Sequence, residues 1–108
     1  MNNKLKSLSE IVANASDLFS SKFDSVDTLM GVMDKILRKQ GMAADAITID
    51  CKSKDRKIVL LIHDAKPDVV QVALGNKEGD IYSASDYALN ELSETVILRI
   101  MEKNFSTQ

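Results

Sequence analysis

The chain has a single histidine, His63, and it stands directly before Asp64. A histidine beside a carboxylate is raw material for a metal site or an acid–base pair. Metal-dependent phosphohydrolases of the His–Asp type need further histidines on helices, and this sequence supplies none. The simpler expectation is a histidine ending a strand and an aspartate opening a turn. Cys51, the only cysteine, could in principle serve as a thiol nucleophile with His63 as its base. The hairpin register expected below sets the two apart by roughly 17 Å and on opposite faces of a sheet. Cys51 then joins Ile47 and Ile49 as a small buried hydrophobe. Gly75-Asn76-Lys77-Glu78-Gly79 offers two glycines and a lysine, but no Gly-Lys-Ser/Thr follows to make a phosphate-cradling loop. A turn between strands explains both glycines.

The charges are split along the chain. From Ile58 onward there are eight acidic and four basic residues, whereas the part up to Lys57 has ten basic and eight acidic ones. No acidic spacing matches a calcium-binding loop; solvated loops and favourable charge near a helix N-terminus explain the pattern. Lys35, Arg38 and Lys39 form one basic group and Lys52, Lys54, Arg56 and Lys57 another. A strand separates them, and no aromatic residues interleave to stack bases. Nucleic acid is therefore not the expected partner, and weak binding through the basic hairpin tip, Lys54 and Arg56, stands as a third-ranked alternative.

Positioning any of these groups requires a fold, and the whole is modest. The length of 108 residues, 44% of them hydrophobic, and the net charge of −2 fit one globular domain over residues 1–108. Without tryptophan and with only three Phe and two Tyr, its core must be aliphatic and methionine-rich. No apolar run of about 20 residues is present, and no secretory signal opens the chain. A lone cysteine suits a reducing compartment. The expectation is a soluble, unexported, cytoplasmic protein without membrane contact, cofactor or metal.

Leu5, Leu8, Ile11, Val12, Ala15, Leu18 and Phe19 recur at steps of three and four, which predicts a helix from about Lys4 to Ser20. Val26, Leu29, Met30, Met33, Ile36 and Leu37 repeat that spacing after a possible cap at Asp24, predicting a second helix that ends at Gly41 and pairs antiparallel with the first. From Ala46 the period drops to two. Ile47, Ile49 and Cys51, then Ile58, Leu60 and Ile62, predict a hairpin with its turn at Ser53–Arg56 and Cys51 opposite Ile58. Val69 to Leu74 adds a third strand, with Val70 opposite Ile62. Ile81 to Ser83 offers a short edge strand, and Ser83 or Ser85 a cap for a final helix carrying Leu89, Leu92, Val96, Ile97, Ile100, Met101 and Phe105. The expected architecture is α+β: a two-layer α-α-β-β-β-(β)-α arrangement with an antiparallel meander sheet and helices packed on one face.

The second face of that sheet is its most informative feature. Thr48, Asp50 and Lys52 look solvated there, yet Val59, Leu61, Val69 and Ala73 share it with Gln71 and His63. A face so apolar is either covered by a helix or used as a contact surface. The leading expectation is a non-enzymatic protein-interaction or self-associating domain, a homodimer or the binder of another protein, with Val59, Leu61, Val69, Gln71 and Ala73 in the contact. The alternative is a small-ligand binder or minor enzyme with a pocket between the sheet and the C-terminal helix, lined by His63, Asp64, Tyr82 and Tyr87, with Asp68 nearby. No catalytic set is expected.

Overall fold

The first apolar stripe forms helix α1, Asn3–Lys22, and buries Leu5, Leu8, Val12, Ala15 and Phe19 at steps of three and four. Leu18, expected on that stripe, stands 49% exposed at its margin. The structure, a computed structural model, describes residues 3–23 and 27–106. Its elements follow as β1 Thr28–Met33, a one-turn helix α2 Ile36–Lys39, β2 Ala44–Cys51, β3 Arg56–His63, β4 Val69–Gly75, β5 Ile81–Ala88 and helix α3 Glu94–Met101. The fold is α+β: one antiparallel sheet in the order β1-β2-β3-β4-β5, with the long N-terminal helix and the C-terminal helix on one side.

The expected second helix is a strand instead. The stretch Thr28-Leu29-Met30-Gly31-Val32-Met33 pairs along β2, with Met30 opposite Ile49 and Val32 opposite Ile47. Its apolar spacing suits a helix, but a glycine in mid-helix costs about 1 kcal/mol relative to alanine, and β2 offers an open edge to pair with. Gly31 fits the strand closely: a Cβ there would come 2.9 Å from the Thr48 hydroxyl oxygen. Only Ile36–Lys39 remains helical, and the expected antiparallel helix pair does not form. Asp24 and Val26, the expected cap and first stripe residue, lie outside the described residues. Because β1 shields β2, Thr48 is buried rather than solvated, and Asp50 is half-buried.

The β2–β3 hairpin keeps its expected faces but pairs two residues tighter: Cys51 faces Arg56, Ile49 faces Ile58 and Ile47 faces Leu60. Lys52–Asp55 make the turn, and Asp55 closes it at φ 50°, a left-handed conformation that aspartate tolerates better than most side chains. A two-residue shift preserves side-chain parity, so no apolar group changes face. Between β3 and β4, Leu60 faces Val72, the register expected from the sequence. β5 is longer than the expected Ile81–Ser83, because Ser83 and Ser85 continue the ladder opposite Leu74 and Val72. The final helix begins later, where the Ser93 hydroxyl accepts from the Val96 N–H at 3.2 Å.

α1 and α3 run parallel, since Asn14 reaches Glu94 and Lys22 reaches Glu102 at the same separation of 80 residues. Between them and the sheet, Phe19 meets Phe105 edge-on at 5.9 Å. A wider turn at Glu102–Ser106 carries Phe105 into this core. Cys51 is fully buried among the same residues.

Candidate functional site

Alternation along the strands sends Ile47, Ile49, Cys51, Ile58, Leu60, Ile62, Val70 and Val72 into the helix-side core. The opposite parity sets Val59 beside Ala73, and Leu61 beside Gln71. All four are half-buried, as are His63 and Val69. The partly buried apolar residues that pack on the helix-side core include Met30, Leu74 and Tyr87 of the sheet, but none of Val59, Leu61, Val69 or Ala73. Every buried residue of α1 and α3 belongs to that core. These two helices therefore leave the other face uncovered, and its apolar middle faces outward. Ala46 is buried on it by being short and flanked across the strands by Met33 and Leu61.

Two hollows mark the ends of the open face. One, of about 300 Å³, is lined by His63, Ala65, Lys66, Val69, Gln71 and Asp86. The other, of about 130 Å³, lies among Lys57, Val59, Gly75, Asn76, Gly79 and Ile81. The contact residues expected from the sequence thus form one surface: Val59 reaches the smaller hollow, Val69 and Gln71 the larger, with Leu61 and Ala73 between them in the sheet ladder. Asp50 and Lys57 face each other across β2 and β3, with 4.0 Å between carboxylate and ammonium, and give one end a polar rim.

Arg38, not His63, is the hydrogen-bond partner of Asp64. The Asp64 carboxylate is held by Arg38, which donates from Nη1 to Oδ2 at 2.7 Å and from Nη2 to Oδ1 at 2.8 Å. The same guanidinium donates from Nε and Nη2 to the buried carboxylate of Asp45, at 3.1 and 3.0 Å. A planar fork of donors suits two carboxylates at once, and here it ties α2 to β2 and to the end of β3. These hydrogen bonds hold the Asp64 carboxyl below its ordinary pKa of 3.8. A folded-state value below the unfolded one stabilises the fold above the unfolded pKa, and this contribution fades as pH falls through the depressed value. Asp64→Asn is expected to flatten the acid limb of stability, read as thermal midpoints from about pH 7 to about pH 2; an unchanged limb would separate Asp64 from folding.

The other residues expected around a ligand are dispersed. Tyr82 lies at the opposite end of the sheet, where its hydroxyl accepts from Asn76 Nδ2 at 3.2 Å and its ring underlies the Arg56 guanidinium at 5.0 Å. Tyr87, opposite Val70, is on the helix side. It borders a cavity of about 140 Å³ with Ser83, Ser85, Ile100 and Asn104, between sheet and α3; neither His63, Asp64 nor Tyr82 lines it. Asp68 pairs with Lys4 of α1 at 2.6 Å. Cys51 and His63 are farther apart than expected: Cys51 faces Arg56, seven residues before His63 on β3, or roughly 24 Å along the strand.

Among the described residues, no three His, Cys, Asp or Glu side chains gather as metal ligands, and no helix is long and apolar enough to cross a membrane. The basic hairpin tip is partly occupied: the Lys77 ammonium donates to the Lys52 carbonyl at 3.2 Å, and Asp55 accepts from the Lys77 N–H at 3.2 Å. Sequence reading missed the Arg38 fork, because its partners lie 7 and 26 residues away on elements whose approach no local pattern announces. A lone aspartate opening the apolar strand at 45 is the one signal that pointed there. Compared with protein-family models, with curated proteins and with solved structures, the chain matches none.

Proposed function

We propose that this chain is a non-enzymatic protein-interaction domain and that the open sheet face carrying Val59, Leu61, Val69, Gln71 and Ala73 is the surface it offers to a protein partner. One observation carries the reading: the apolar middle of this face is only half-buried while α1 and α3 commit their buried residues to the other side. A contiguous apolar patch with a polar rim has the anatomy of a contact surface, and the candidate catalytic groups are dispersed.

The test is the native mass of gently purified protein, beside Leu61→Asp and Ala73→Arg variants. The wild-type chain is expected in a complex, and each variant is expected to weaken that complex on the order of 100-fold, because a charge is introduced into a desolvated apolar contact. Unchanged thermal midpoints would show that the variants fold. A complex with another protein that survives both substitutions, or a wild-type chain that never carries another protein, would overturn the reading. A retained small mass would favour the ligand alternative, for which the hollow with His63, Lys66, Gln71 and Asp86 is the one supporting observation.

A further inference from the structure

The sheet ends in two edges, and they are guarded differently. β5 has a register irregularity where Gly75 meets Ile81, and it includes a charged residue, Asp86. Such devices discourage another strand from adding to an edge. β1 has none of them: Thr28–Met33 contains no charge and no proline, and pairs with β2 without interruption. Its large side chains are under-covered on both sides of the sheet. Leu29, opposite Asp50 on the open face, is 55% exposed, and Val32, opposite Ile47 on the helix side, is 37% exposed. Among the described residues, no strand pairs with the outer edge of β1.

We propose that β1 pairs antiparallel with β1 of a second copy about a two-fold axis through Gly31, joining two five-stranded sheets into one. A two-fold normal to the sheet keeps each face on its own side, so directly opposed residues must come from the same face. With the axis at Gly31, Leu29 meets Met33 of the second copy on the open face, and Met30 meets Val32 of the second copy on the helix side. Each large apolar residue of the strand thereby gains a large apolar partner, the kind of cross-strand pair that stabilises sheets. An axis at Met30 would set Leu29 against glycine and leave it uncovered. The joined sheet makes the two open faces continuous, but the pairing does not depend on what those faces bind.

The test is sedimentation equilibrium over a dilution series. The wild-type chain is expected to be a dimer, and Leu29→Lys to raise its dissociation constant on the order of 100-fold, with two symmetry-related charges each costing about tenfold. The double variant Leu29→Lys/Met33→Glu is expected to restore the dimer, since each introduced lysine faces the introduced glutamate of the other copy. Within one chain these positions are four strand residues apart, about 13 Å, too far to pair. Met33→Glu alone is the second disrupting variant should Leu29→Lys fold poorly. A monomeric wild type, an undisturbed Leu29→Lys dimer or a double variant that stays dissociated would each overturn the proposal. A dimer lost instead on Leu61→Asp would place the contact on the open face and also overturn it, whereas a monomer that still binds another protein through Leu61 would leave the face reading standing.

Discussion

Phe19→Ala is expected to lower the unfolding free energy by about 3–5 kcal/mol, the usual cost of truncating a fully buried aromatic side chain. Phe19 sits where α1 meets the C-terminal end of the chain. Its ring is fully buried, 5.9 Å from Phe105 edge-on and 4.8 Å from Phe23. Truncation removes the transfer energy of the ring and both aromatic contacts, and it opens a cavity between α1 and the turn that carries Phe105. Urea denaturation followed by circular dichroism measures the loss. A loss under about 1 kcal/mol would mean that the site collapses around the gap and that this aromatic cluster is not the anchor of the helical layer.

Gly75→Ala is expected to cost about 2–3 kcal/mol, as overpacking at a backbone contact does. A Cβ at this position would overlap the Asp80 carbonyl, which no side-chain rotation can relieve. The carbonyl cannot simply withdraw, because it accepts from the Asn76 N–H at 3.1 Å. Asn76 is itself half of a compact knot: its Oδ1 accepts from the Glu78 and Asp80 N–H groups, both at 3.0 Å, and its Nδ2 donates to Asp80 and Tyr82. Relief therefore means opening the β4–β5 turn. Hydrogen exchange should show the amides of β5 losing protection before those of β2 and β3; a uniform loss across the sheet would contradict this reading of Gly75.

The α+β class was legible because its signals are local. The three-and-four steps of Leu5 to Phe19 and the alternation of Ile47 to Cys51 and Ile58 to Ile62 each encode one element and one buried face, and a hairpin register that is wrong by two residues still leaves those faces correct. Thr28 to Met33 was misread for the opposite reason. Its apolar spacing satisfies a helix period, and what decides it is the neighbouring edge of β2 together with the close approach of Gly31 to Thr48, neither of which a local pattern contains. The candidate contact face was legible through parity alone, since Val59, Leu61, Val69, Gln71 and Ala73 alternate with core residues on strands whose order follows from short turns. The Arg38 fork, the Asn76 knot and the unguarded β1 edge were not, because each depends on which elements become neighbours.

The central claim, that the open sheet face is a contact surface, is tested most directly by covalent side-chain footprinting of the assembly with another protein against the same chain free of that protein. Val59, Leu61 and Val69 are expected to lose labelling in the assembly, while Leu18, exposed on α1 on the other side of the sheet, keeps it. Equal labelling of Val59, Leu61 and Val69 in both forms would contradict the claim.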